Sequence, residues 1–241
     1  MNTWTILMAG KGIRTQSMKE FKPFIEINNH EILFWFLFSI KGLIKKNDKL
    51  IFVTSKYFSK KFQVEKRITK ILKELKIINK FYIIETTKEP AGQSISLKFA
   101  KNIIDQNKPL IVVNPDQYID FDLPKKIINS YLPLYLQLGN KSGFVSMKSG
   151  QITKFVEKNN ISNLACTGVY IVAKAKWLFS AIEEQIKNKD MLNEEYYLGP
   201  AFNYIIKKKL KVEPLSVRAK YDLGNPKDIK IFRKNNISRL L

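Results

Sequence analysis

A single cysteine, Cys166, stands in the 241 residues, which excludes an intramolecular disulfide framework and any cysteine-cluster metal site. Histidine is equally scarce: His30 is alone, so a multi-histidine zinc site is excluded and histidine-based catalysis has little to draw on. The longest apolar run, Ile32 to Ile40 with Ser39 inside it, is about half the length of a membrane span. Met1-Asn2-Thr3-Trp4 places no positive charge ahead of its short apolar stretch, so no secretory signal is expected. Together these absences lead to the expectation of a cytoplasmic protein with no membrane span. Arginine is sparse as well: Arg14, Arg67, Arg218, Arg233 and Arg239 are five of 42 basic residues. Sequence-specific readers of nucleic acid lean on the planar arginine fork, so no specific nucleic-acid partner is expected.

Acidic residues number only 21, which leaves a formal charge of +21. Solvated lysine faces explain this most simply, a non-enzymatic polyanion-binding protein is a second reading, and a phosphate-rich small substrate is a third. With 45% hydrophobic and 12% aromatic residues the chain can bury a substantial core. No linker, repeat or low-complexity block interrupts it, so residues 1–241 are expected to form one domain.

Apolar runs at Thr3–Met8, Leu50–Thr54, Phe81–Glu85 and Leu110–Asn114 read as strands, the last two as interior ones. Between them lie helical stretches: Ile32–Leu43, apolar on nearly every face; Val64, Ile68, Ile71, Leu72 and Leu75 at helical spacing; and Ser94–Ile104. Alternation of this kind predicts an α/β fold with a mainly parallel sheet. The second half is expected to add a small antiparallel part from Gly143–Met147, Ile152–Val156 and Gly168–Val172. Helices follow through Trp177–Ile186, from around Pro200 to Ile206, and from Pro226.

Chemistry gathers first at Gly10-Lys11-Gly12-Ile13-Arg14, directly after a strand. Glycines let the backbone turn its N–H groups on an anion, and Arg14 can fork onto phosphate oxygens; the same pattern also serves as a plain turn. It has neither the third glycine of a dinucleotide fingerprint nor the ending of a P-loop. Lys22 lies in Phe21-Lys22-Pro23. Asp116 follows the Leu110–Asn114 strand, where open α/β sheets bind ligands, and could hold Mg²⁺. Asp222, in Tyr221-Asp222-Leu223-Gly224, offers a partner ligand. A neighbouring alternative is Asp120-Phe121-Asp122, the Asp-x-Asp metal pattern of a GT-A-type glycosyltransferase, displaced several residues past the strand.

In order, Met8–Arg14, Phe21–Pro23, Gly92-Gln93, Asn114–Gln117, Glu157-Lys158, Thr167–Tyr170, Asn193–Tyr197 and Asp222–Pro226 resemble the sugar-phosphate nucleotidyltransferase family. That family includes the glucose-1-phosphate thymidylyltransferases and related cytidylyltransferases. The resemblance spans about Ile6 to Phe232 and implies a GT-A-like (Rossmann-like) sheet sandwiched by helices. It implies transfer of a nucleoside monophosphate from a nucleoside triphosphate to a phosphorylated small-molecule acceptor, with Mg²⁺. Carried over, Ala9, Gly10, Gly12, Gly92 and Gln93 fall on the nucleotide, Arg14 and Lys22 on the reacting phosphates, and Asp116 and Asp222 on the metal. Glu157, Lys158, Gly168, Glu195 and Tyr196 fall on the acceptor. This chain departs from the pattern at Phe21 and Asn159, where prolines are usual, at Thr15, where a bulky apolar residue is common, and at Asn225, where a threonine often precedes Pro226.

Overall fold

The computed structural model describes residues 1–10, 20–139 and 142–235. Its strands are β1 (Thr3–Leu7), β2 (Glu26–Ile27), β3 (His30–Glu31), β4 (Lys49–Ser55), β5 (Phe81–Thr86), β6 (Leu110–Val113) and β7 (Gln117–Phe121). The later strands are β8 (Ser130–Leu136), β9 (Gly143–Lys148), β10 (Gln151–Glu157), β11 (Leu164–Cys166), β12 (Val169–Val172) and β13 (Val212–Asp222). The helices are α1 (Ile32–Ile40), α2 (Lys56–Lys61), α3 (Val64–Glu74), α4 (Gln93–Lys98), α5 (Ala175–Lys187), α6 (Leu198–Lys207) and α7 (Pro226–Lys234).

Apart from the β2–β3 hairpin, the described strands join one mixed sheet along the path β10-β9-β11-β8-β12-β6-β1-β4-β5, with β13 branching from β8 and carrying β7. Its core, β6-β1-β4-β5, is parallel; β12 runs antiparallel beside β6 and opens the antiparallel part. β6, β1 and β4 are buried on both faces, because successive side chains alternate between two apolar clusters. Trp4, Ile6, Leu50, Phe52, Ile111 and Val113 meet α1, α3 and α7 on one face. Ile51, Val53, Leu110 and Val112 meet residues of α4, α5 and α6 on the other.

Helix α1 is short for so apolar a segment and buries seven of its nine residues, as its all-round hydrophobicity predicts. Two expected elements differ. Strand β5 is the sheet edge rather than interior, and its residues are mostly only half-buried. The Ser94–Ile104 helix stops at Lys98 and resumes as a 3-10 turn over Lys101–Ile103.

Strand β13 organises the site. Its first half pairs parallel with β8, Val212↔Ser130 through Ser216↔Leu134. After a register shift between Val217 and Ala219 its second half pairs antiparallel with β7, ending at Asp222↔Gln117. That bend delivers Asp222 to the carboxyl end of β6. Asn225 then caps α7, its side chain accepting from the Asp228 N–H at 3.0 Å, with Pro226 in the first turn.

Candidate active site

Strand β1 is flanked by β4 on one side and β6 on the other, so the connections leave in opposite directions. A crevice forms at the carboxyl ends of such a pair. Here it is a cleft of about 440 Å³. Ala9 and Gly10 enter it after β1, Asn114 and Asp116 after β6, and Gly92 with Gln93 at the start of α4. Lys22, Lys158 and Glu195 complete the sequence-derived set on its walls. Gly12, Arg14 and Thr15 lie outside the described residues.

Lys22 sits in a 3-10 turn, Lys22–Phe24. Phe21 precedes it with φ −68°, the value a proline ring would impose, so the departure from proline leaves the backbone where proline would hold it. Packing does the holding: the Phe21 ring stacks on Phe58 at 4.6 Å and on Phe62 at 5.6 Å. Arg67 of α3 braces the same turn from both sides, donating to Glu20 at 3.0 Å and to the Phe24 carbonyl at 3.1 Å.

The Lys22 ammonium reaches the Asp116 carboxylate at 2.5 Å. Burial pushes the Asp116 carboxyl up, but the charge and hydrogen bond of Lys22, helped by Lys220, outweigh it and hold it below the usual carboxylate range. The Leu223 N–H donates to the Asp116 carbonyl at 2.8 Å, and Gly224 lies against the carboxylate itself. Asp222 ends β13 opposite Gln117 and pairs with Lys220 at 2.5 Å; neither Asp222 nor Lys220 is among the residues lining the cleft.

Lys220 was not singled out from the sequence. Its side chain is only 6% exposed, against 53% for Asp222, and its ammonium lies 4.5 Å from the Tyr135 ring centroid. Burial pulls its pKa down; Asp222 and Tyr135 more than offset this and raise it. The signal was the i, i+2 spacing of Lys220 and Asp222, which puts both on one face of a strand. It was legible only once Val212–Asp222 was known to be a strand.

On the opposite wall, Asn193–Tyr197 clasps the start of α4. The Tyr196 N–H donates to the Ala91 carbonyl at 3.0 Å, and the Ser94 N–H to the Tyr196 carbonyl at 3.0 Å. Tyr196 therefore acts here through its backbone, while Tyr197, not foreseen, lines the cleft and meets Lys158, whose ammonium lies 4.4 Å from its ring centroid. Gln93 has a second duty: its side-chain oxygen accepts from the Leu198 N–H at 3.0 Å, at the start of α6. Gly92 has φ +95°, and a Cβ there would stand 2.7 Å from Tyr196 backbone atoms. Gly92→Ala is expected to lower stability by at least ~1 kcal/mol and to separate the two segments, read as a lower melting temperature with weaker nucleotide binding.

Glu157 ends β10 next to the cleft residue Lys158, and Gly168 lies behind Asn114, whose N–H donates to the Gly168 carbonyl at 3.3 Å. Lys158 has φ +52°, in the left-handed region. A proline at 159 would disfavour that conformation, and Asn159 permits it. Burial pushes the Glu157 carboxyl up to about 7, with Lys158 opposing and Glu195 reinforcing the rise. The folded state then holds a proton that the unfolded state has released, so this group's stabilisation is present below the ordinary glutamate range and is lost as pH rises through about 7. Melting temperatures between pH 5 and 8 are expected to show this decline in the native protein and a flatter profile in Glu157→Gln.

Other candidates fall away. Asp120 and Asp122 are both gripped by Arg218 on an exposed surface, with the Arg218 Nη2 at 2.6 Å from Asp120, and neither lines the cleft. Burial pushes the Cys166 thiol up to about 12, so no thiolate nucleophile exists at neutral pH. His30 stacks on Phe34 at 4.0 Å and reaches Glu74 at 3.2 Å, away from the cleft.

The sequence matches no protein-family model and no curated protein. Solved structures do match over nearly the whole chain. A nucleoside-diphosphate-sugar pyrophosphorylase from Vibrio cholerae RC9 is 20% identical with a TM-score of 0.83, over 97% of this chain and 100% of that one. A putative glucose-1-phosphate thymidylyltransferase from Bacillus anthracis is 15% identical with a TM-score of 0.76, over 98% and 95%. The inositol-1-phosphate CTP transferase from T. maritima is 16% identical with a TM-score of 0.69, over 95% and 91%. The fold is that of the sugar-phosphate nucleotidyltransferases.

Proposed function

We propose that this chain transfers a nucleoside monophosphate from a nucleoside triphosphate to a phosphorylated small molecule. An acceptor phosphate oxygen bonds to the α-phosphorus, the bond from that phosphorus to the bridging oxygen breaks, and pyrophosphate leaves with the electron pair. The observation that carries this reading is the meeting of Gly10, Lys22, Gly92 and Asp116 in one cleft at the carboxyl ends of β1 and β6.

A phosphate nucleophile is already ionised at neutral pH, so the chemistry needs no histidine base. It needs charge neutralisation and in-line positioning. Ala9, Gly10, Gly12, Gly92 and Gln93 hold the nucleotide in this reading, and Lys22 with Arg14 neutralises the reacting phosphates. Asp116 and Asp222 supply hard oxygen donors of the kind Mg²⁺ prefers, on segments joined where the Leu223 N–H donates to the Asp116 carbonyl. Each carboxylate is paired with a lysine. The pair becomes available to a cation as phosphate draws the ammonium away. A bound Mg²⁺ would supply further charge neutralisation at the phosphates.

Glu157, Lys158, Gly168, Glu195 and Tyr196 form the acceptor side in this reading. The acceptor is a sugar phosphate and the product an activated precursor for surface polysaccharide or a related glycoconjugate, made in the cytoplasm by residues 1–241 acting as one domain. Screening the four common triphosphates against phosphorylated sugars, alditols and amino-alcohols tests it. Pyrophosphate is expected from at least one pair and only with Mg²⁺. Tight nucleotide binding with no pyrophosphate from any acceptor would instead mean a binding protein without turnover.

A further inference from the structure

Two parts of the cleft are tied together through one side chain. Lys158 follows β10 with its N–H donating to the Ser142 carbonyl at 2.9 Å, so its backbone is fixed while its side chain keeps the freedom of a four-carbon stem. Residues 196–198 are bound by their backbone to the start of α4. The Tyr196 carbonyl accepts from the Ser94 N–H at 3.0 Å, and the Leu198 N–H donates to the Gln93 side-chain oxygen at 3.0 Å. Between them the Tyr197 carbonyl accepts from the Gln185 Nε2 at 2.8 Å, and the Gln185 Oε1 accepts from the Ser94 hydroxyl at 2.8 Å. Gln185 of α5 and Ser94 are both fully buried. A polar side chain is kept at that depth where its hydrogen bonds are made, and here they fix the backbone of Tyr197 against the nucleotide segment.

From this anchored backbone the Tyr197 side chain lines the cleft and meets Lys158 twice. The Lys158 ammonium donates to the Tyr197 hydroxyl and lies 4.4 Å from the centroid of its ring. The contrast with Lys22 is one of charge. Lys22 is held by the Asp116 carboxylate, which neutralises it. Tyr197 is neutral, so it orders a mobile lysine and leaves the positive charge for an incoming anion. We propose, resting on the nucleotidyltransferase reading, that Tyr197 is the positioning residue for Lys158, holding that ammonium for the acceptor's phosphate with its charge intact. Tyr197 acts through Lys158, so its loss shows at the acceptor phosphate and not at the triphosphate.

Calorimetric titration of inorganic phosphate into protein saturated with inorganic tripolyphosphate reads the acceptor side by itself. Lys158→Met is expected to weaken phosphate binding at least tenfold. Tyr197→Leu removes ring and hydroxyl but leaves the backbone bonds to α4, and should weaken it about tenfold. Tyr197→Phe keeps the ring and should lose about threefold. Tripolyphosphate affinity should stay near native in all three. The Lys158→Met/Tyr197→Leu pair should be no weaker than Lys158→Met alone, because the tyrosine has nothing left to position. Losses that add in the pair overturn the proposal, as does native-like phosphate binding by Lys158→Met or by Tyr197→Leu. If Tyr197→Leu fails to fold, Tyr197→Phe decides: a loss that vanishes in the Lys158→Met background supports the proposal, and a loss that persists there, or no loss, overturns it. Native protein that takes up no tripolyphosphate under any condition strikes the nucleotidyltransferase reading itself, and the proposal falls with it.

Discussion

Turnover by Lys22→Met is expected to fall by about 10²–10³-fold, the scale seen when one preorganised donor to a developing charge is removed. The side chain it replaces lies on the cleft wall, bonded to Asp116 and fixed by the Phe21 stack and the Arg67 brace. Arg14→Ala is expected to act on the same scale. Lys70→Ala, on the exposed face of α3, removes equal charge and should leave turnover unchanged. Equal losses at Lys22 and Lys70 would make bulk charge the cause. Lys22→Met carries a second signature. Without Lys22, burial is less opposed and the Asp116 carboxyl rises. In the native protein its depressed pKa contributes stability above the ordinary carboxylate range, and that contribution is lost as pH falls through the folded value. The melting-temperature gap between native and Lys22→Met should therefore be widest at neutral pH and close in acid.

Asp116→Asn and Asp222→Asn are each expected to abolish measurable turnover, and the double variant should be little worse than either. Both should lose the effect of Mg²⁺ on nucleotide affinity. Sequence alone favours a stable apo protein in both cases, because two carboxylates sharing a cleft would repel. The structure corrects this: each carboxylate is neutralised by its own lysine. Asp222→Asn leaves the buried Lys220 without its charge partner and should lower apo stability by about 1–3 kcal/mol. Lys220→Met in the same chain should recover part of that loss. Asp116→Asn leaves only the less buried Lys22 and should cost less.

The parallel core and the nucleotide side were legible because each is local. β1, β4 and β6 are short, buried, β-branched- and aromatic-rich runs, and Gly10, Asn114 and Asp116 follow their strands within a few residues. Helices α3 and α5 announce themselves by 3.6-residue periodicity. The rest is set by partners distant in sequence. β8 contains Pro133, which argues against a strand, yet its carbonyl accepts from the Thr167 N–H at 3.1 Å and the ladder continues past it. β13 mixes Glu213, Pro214, Arg218 and Lys220 because it changes partners midway and is mostly half-buried. Missing it hid Lys220 and with it the ion pair that Asp222 makes. Tyr197 was hidden for a similar reason: only the clasp on Ala91 and Ser94 turns that segment onto the cleft.

Tracing isotope through the reaction tests the central claim most directly. The protein is incubated with Mg²⁺, a responsive phosphorylated acceptor and triphosphate labelled with ³²P at either the α or the γ position. Label from the α position should appear covalently in the acceptor product, and label from the γ position should leave as pyrophosphate in equal amount. Transfer of γ label to the acceptor, or its release as orthophosphate, would contradict the account.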